Sequence, residues 1–234
     1  MARPGINVNL IRAFSGPRHD RLERVWDVIL EHQKHLVTGH IFANPGAHMS
    51  HAQCLNALWE EELKRPEPFA LLTEYDFLPN LPLWLPTIHL AGNSPILAAE
   101  YITRDPKTRR LLHHDIPGAW YILIDKTRIG ALDFSGAGDF NDPANGLVAY
   151  VTREYNSSIL LLNHEDCYPR HYGARLMTGE HLFFSRHLHD DPHQSVAGLH
   201  LGDIQRKHDW AVEDWIRNAP LSFRRLFKKR CQCV

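Results

Sequence analysis

Residues 69–79 of this chain read FALLTEYDFLP, and this stretch decides the fold. An apolar run stops abruptly at two carboxylates, Glu74 and Asp76, spaced one residue apart. The pattern predicts a buried strand that delivers an acidic pair to its carboxyl end. In an open α/β sheet, ligands bind in the crevice beyond the carboxyl ends of the strands. Carboxylates placed there favour a divalent cation and the phosphates it carries. An acidic pair also ends many ordinary strands, so the neighbouring elements decide between the two readings.

Upstream, INVNLI (Ile6–Ile11) is a short β-branched run, followed by a Ser-Gly-Pro break. From Asp20, the residues Leu22, Val25, Trp26 and Ile29 recur at helical spacing. HIFA at 40–43 predicts a second strand, closed by the turn residues Asn44, Pro45 and Gly46. Ser50 and Gln53 then fit a capping box, and Leu55, Leu58, Trp59 and Leu63 continue an apolar helical face. Pro66 and Pro68 end that helix before the strand at Phe69. The first 76 residues thus predict β-α-β-α-β with parallel strands and right-handed crossovers.

Downstream, residues 82–116 are Pro-rich and predict a packed, irregular segment that shapes a cleft. AWYILID at 119–125 is the next strand, and residues 130–146 form a loop rich in Gly, Asp and Asn that contains GAGDFNDPANG. ILLL at 159–162 predicts another strand, and 204–216 a helix carrying Ile204, Val212, Trp215 and Ile216. There is no internal repeat and no low-complexity segment.

With 234 residues, 44% of them hydrophobic, the chain is long enough to bury one substantial core. Lys plus Arg number 26 against 27 Asp plus Glu, which excludes the global basic field that dominates nucleic-acid affinity; any such partner is met locally. Four Cys at 54, 167, 231 and 233 form no C-x-x-C pair, and together with the lack of a secretory leader or a membrane-length apolar run they predict a cytoplasmic protein. No G-x-G-x-x-G follows the first strand and no G-x-x-x-x-G-K-[ST] occurs, so phosphate has to be met through a metal ion.

The order of elements and their local motifs resemble glycosyltransferases of the GT-A fold, particularly the family 2-like group. In those enzymes a first strand leads into a nucleotide-holding loop, a second into a polar turn and helix, and a third ends in Asp-x-Asp. The counterparts here are residues 12–15, the segment NPGAHMSHAQCLN at 44–56, and Glu74-Tyr75-Asp76. Two departures stand out: Glu74 replaces the first Asp, and His51 or Gln53 stands where the family has Arg.

The resemblance implies a single α/β domain over 1–234, with an open, mostly parallel sheet and helices on both faces. A nucleotide-sugar-binding half would occupy 1–80, an irregular C-terminal acceptor half 81–220, and a basic tail 221–234. It further implies a transferase that moves a sugar from a nucleotide-diphosphate donor to an acceptor hydroxyl, using Mn²⁺ or Mg²⁺. Donor contacts would come from Arg12, Phe14, Ser15, Asn44, His51, Asn56 and Glu74, and metal ligation from Asp76, Glu74 and His187, with His181 and His189 as rivals to the last. An inverting reaction requires a carboxylate base, Asp142 first and Asp139 second; both also fit Asx turns beside Gly, Asn and Pro. A retaining reaction requires neither. The acceptor stays open: a lipid-linked or surface glycan, a protein, or a modified base in DNA each fits a neutral chain with a local basic tail.

Two signals compete. The His-rich region from LNHEDCYPRHYG (162–173) to GEHLFFSRHLHDDP (179–192) supports a metal-dependent hydrolase as the alternative, although it has no H-E-x-x-H and Cys167 has no partner at zinc-finger spacing. A catalytically inactive sugar- or nucleic-acid-binding module is a further alternative. The tail LSFRRLFKKRCQCV places five basic residues among Leu221, Phe223, Leu226 and Phe227. It reads either as a peripheral membrane or nucleic-acid contact, or as a helix packed on the domain with a solvated basic face. Its last four residues have a CaaX-like shape.

Overall fold

A computed structural model of the chain describes residues 5–11, 20–43, 50–74, 77–79, 94–104, 111–135, 143–156, 159–162, 194–195, 198–200, 212–213 and 215–231. The elements run β1 (Ile6–Ile11), α1 (Asp20–His32), β2 (Val37–Ala43), α2 (His51–Glu62), β3 (Phe69–Glu74), β4 (Phe77–Pro79), β5 (Ile96–Arg104), β6 (Leu111–Asp125), α3 (Pro143–Tyr155), β7 (Ile159–Leu162), β8 (Gln194–Ser195), β9 (Gly198–His200) and α4 (Leu221–Cys231). Six strands form one open sheet in the order β2-β1-β3-β6-β5-β7. β1 pairs in parallel with β2 and β3, and β5 with β7, while β6 runs antiparallel between β3 and β5. Five strands therefore share one direction. A second, three-stranded antiparallel sheet has the order β4-β9-β8.

Helices cover both faces of the large sheet. Strands buried on both sides read as nearly continuous apolar runs, because successive side chains enter different layers. On β1, Ile6, Val8 and Leu10 join one cluster, built with Leu22, Val25, Trp26, Val28 and Ile29 of α1 and with Phe223 of α4. Ile11 joins the other, with Leu55, Leu58 and Trp59 of α2 and Leu147 and Val151 of α3. β3 divides in the same way, Leu71 to the first layer and Ala70 and Leu72 to the second. With β1 central, α1 connects β1 to β2 over one face, and α2 returns from β2 across β1 to β3 over the other.

The second layer contains charge. Asn7 and Asn9, at the inward positions of β1, donate to the Glu62 carboxylate at 2.6 and 3.0 Å, and Lys126 Nζ meets its other oxygen at 2.7 Å. Glu62 is fully buried and takes a place on the inner face of α2, whereas Leu63, expected there from its spacing, is the exposed C-cap residue.

Several expectations need correction downstream. Residues 82–116 are not irregular throughout: β5 lies within them, and β6 begins at Leu111 rather than Ala119. Register shifts at Ala98/Ala99 and between Tyr101 and Arg104 break the alternation that would have revealed β5. The segment PANG, expected as loop, opens α3, with Pro143 at the first helical position, where a missing N–H is harmless. Among the described residues after 81, more are in regular elements than expected. Of the helix expected over 204–216, residues 212–213 and 215–218 are helical, and residues 201–211 lie outside the described residues.

The basic C-terminal segment is not a loose tail. α4 inserts Phe223, with no exposed surface, against Trp215 in a T-shaped contact at 5.1 Å. Trp215 Nε1 in turn donates to Pro79 O at 2.9 Å, fixing this layer to β4. Among the described residues, no helix is long and apolar enough to cross a membrane.

Candidate functional site

The carboxyl ends of β2, β1 and β3 finish level. Ile11, the last residue of β1, is in register with Ala43 on one side and Glu74 on the other. Strands in a sheet lie about 4.8 Å apart, so three chain exits open from a line only about 10 Å long. The segments leaving it are 12–19, 44–49 and 75–76. The parallel β-α-β-α-β order predicted from sequence therefore converges these segments on one edge, where a doubly wound sheet opens its crevice.

α2 begins at this edge. Ser50 Oγ accepts from the Gln53 amide at 3.2 Å and Gln53 Oε1 accepts from the Ser50 amide at 2.8 Å, a complete capping box that fixes where the helix starts. The first helical residue, His51, is thereby set beside Glu74: its Nε2 lies 3.8 Å from Glu74 Oε1, with side chains 14% and 12% exposed. No acidic residue occupies the first turn of α2, so the positive end of its dipole faces the crevice opposed by Glu74. Two residues singled out from sequence, 23 positions apart, are in this way brought together by a cap and a strand end.

Asn56, the third described candidate, has different partners. Its Nδ2 donates to Asp133 Oδ1 at 3.0 Å and to Ser135 Oγ at 3.1 Å, and its Oδ1 accepts from the Phe134 amide at 2.8 Å. The amide is committed to holding residues 133–135. The same stretch is pinned by Trp59 Nε1 on Gly130 O at 2.9 Å. Tyr155 completes the clamp, its hydroxyl donating to Ala131 O at 2.7 Å and accepting from the Gly130 amide at 3.0 Å. The Ser135 amide and hydroxyl and the Asn56 amide hold the Asp133 carboxyl below the usual Asp range. α2 and α3 together grip the base of the segment that contains Asp139 and Asp142.

Sequence reasoning missed this clamp. Its legible trace was Asp133-x-Ser135, the spacing of a local Asx turn, and it was absorbed into a longer loop. Arg12, Phe14, Ser15, Asn44, Asp76, Asp139, Asp142 and His187 lie outside the described residues, as do His181, His189 and the rest of the His-rich region. Among the described residues, no group of three or more His, Cys, Asp or Glu is gathered for metal binding. Cys54, on α2, is buried, and burial pushes its thiol up, the setting of an inert core cysteine rather than a nucleophile.

No protein-family model matches the chain, and no curated protein is similar enough to count as a relative.

Proposed function

We propose that the protein is a metal-dependent glycosyltransferase of the GT-A type, moving a sugar from a nucleotide diphosphate to an acceptor hydroxyl. The observation that carries this reading is the level edge of β2, β1 and β3, with Glu74 at its corner and His51 of α2 3.8 Å away. A donor diphosphate suits that edge because a helix start lies on one side and a carboxylate that attracts a hard cation on the other.

The donor set fits Mn²⁺ or Mg²⁺, since the carboxylates of Glu74 and Asp76 supply the oxygen ligands such cations prefer, with His187 as the third candidate. Bound there, the cation would neutralise charge developing on the departing diphosphate. Glu74, at the end of a strand buried on both faces, has little freedom to swing, so its carboxylate is held at the edge before a ligand arrives. In an inverting reaction Asp142, or Asp139, takes the proton of the acceptor hydroxyl. The new glycosidic bond forms as the bond between sugar and diphosphate breaks. The grip of Asn56, Trp59 and Tyr155 on residues 130–135 fixes the point from which that segment departs.

The test is thermal unfolding of the protein against UDP, GDP, CMP and dTDP, each with and without Mn²⁺, in parallel with Asp76→Asn. Ligand at about 100-fold over Kd stabilises by about 2.7 kcal/mol. A shift for one nucleotide that requires Mn²⁺ and vanishes in Asp76→Asn is the expected result. Stabilisation by Mn²⁺ alone that survives Asp76→Asn would overturn this reading and move the metal to another part of the chain.

A further inference from the structure

The outer surface of α4 has no task at the sheet edge. Along this helix Phe223 is buried and Leu226 and Phe227 pack partly against the core, which turns the opposite side to solvent. That side carries Arg224, Arg225, Lys228 and Lys229, all exposed, whereas Arg230, seven residues after Phe223, lies on the α1 side, 3.6 Å from Glu31. Leu221, Arg225 and Lys228, at positions i, i+4 and i+7, fall on one line along the helix. At the head of this line Leu221 is 53% exposed, the most exposed large apolar side chain among the described residues. No described carboxylate lies within ion-pair distance of Arg224, Arg225 or Lys228.

We propose that this face of α4 docks the protein on an anionic lipid bilayer, the helix lying flat in the interface. A rigidly held row of cations matches a plane of anionic headgroups, and the remaining chain carries an excess of acidic over basic residues, so repulsion elsewhere orients the molecule with α4 toward the surface. Leu221 distinguishes a bilayer from a polyanion such as DNA. An exposed leucine within the cationic row gains from shallow burial among acyl chains, and gains nothing against a phosphate backbone. The helix is already folded and anchored through Phe223, so docking orders no disordered segment. This inference is independent of the chemistry at the sheet edge.

The experiment is co-sedimentation of the full chain with phosphatidylcholine vesicles and with vesicles that also contain phosphatidylserine, at low and high salt. The protein is expected on the anionic vesicles only, with binding that weakens as salt rises. Each Lys or Arg near such a surface contributes roughly fivefold, so Arg225→Gln and Lys228→Gln each lower affinity about fivefold. The triple change at Arg224, Arg225 and Lys228 lowers it about a hundredfold. Lys64→Gln, exposed in the turn after α2 across the sheet, serves as the control and leaves binding unchanged. An unchanged thermal midpoint in the single variants separates lost docking from lost folding. Equal binding to both vesicle types, an undiminished triple variant, or duplex DNA binding at the same salt without vesicle binding would each overturn the proposal.

Discussion

Lys126 Nζ lies 2.7 Å from Glu62 Oε1, a pair in which the carboxylate side chain is fully buried and the ammonium 7% exposed. Lys126 also donates to the carbonyls of Glu62 and Arg65 at 2.9 and 3.0 Å, so one cation both neutralises a buried charge and closes the C-terminal end of α2. Removing one member of such a pair strands the other in a low dielectric. Lys126→Met is expected to cost about 3–5 kcal/mol in urea unfolding, and Glu62→Gln with Lys126→Met to recover part of that loss. An additive double variant would show that the two charges do not interact.

Asn56 joins α2 to Asp133 and Phe134, and Asn56→Asp keeps its acceptor while replacing its donors with a second carboxylate. Asp133 has a depressed pKa in the folded protein, so its contribution is present above about pH 4 and is lost as pH falls through the folded value. A neighbouring Asp at 56 removes one hydrogen bond and opposes the depression set by Ser135, because like-charge repulsion pushes the Asp133 pKa up. The variant is expected to be less stable by about 1–3 kcal/mol at neutral pH, with the deficit shrinking on acidification toward pH 4. Urea midpoints measured across that range check the direction.

His32 at the end of α1 faces α4. Its Nε2 lies 2.8 Å from Ser222 Oγ, the Gln33 amide donates to its Nδ1 at 3.0 Å, and the ring meets Phe223 edge-on at 5.8 Å. This arrangement requires a neutral imidazole, and burial, reinforced by His35, holds the pKa below its ordinary value. The unfolded chain then takes up the proton first, so this residue's contribution is complete above about pH 6.5 and is lost as pH falls through the folded value. His32→Gln is expected to flatten the fall in stability between about pH 7 and 5. Protection factors of the α4 amides, taken against the intrinsic exchange rate at each pH, should fall over the same interval in the parent alone.

Ser50→Ala removes the acceptor of the Gln53 amide from the start of α2. The expected cost is about 1 kcal/mol, a fall in Tm of about 2–4 °C for a chain of this size. The box sets the position of His51 beside Glu74, so a change in the proposed nucleotide binding on Ser50→Ala is expected to accompany displacement of His51.

The core half of the sheet was legible because its signals are local. β1, α1, α2 and β3 each carry a run or a repeat that a neighbouring residue punctuates, and the Ser50–Gln53 box formed as its spacing predicted. What was lost involves residues far apart in sequence. Asn7 and Asn9 carried no signal within the β-branched run of β1, and Glu62 and Lys126, more than 50 and 100 residues away, account for their complete burial. β5 is broken by register shifts, β6 contains Pro117 and Gly118 within its 15 residues, and α3 opens on PANG, so each presents the letters of a loop at its start or middle. At the sheet edge, the end of β3 at Glu74 and the start of α2 at His51 were legible from the apolar run and the cap. The clamp on Asp133 was not, because its members come from α2, the stretch after β6, and α3.

The two layers of the sheet are finished at different times in the life of the chain. α2, α3 and their strands are all present once β7 has been synthesised, so that layer can close early. The opposite layer, begun by α1, is completed only by Trp215 and Phe223, which join the same cluster as Leu10, Leu97, Tyr121 and Leu123. A nascent chain that has reached β7 therefore carries one side with all its helices and one covered by α1 alone. That species is the one open to chaperone capture or to sticking to its neighbours on the polysome, and its lifetime is set by how quickly residues 212–231 emerge.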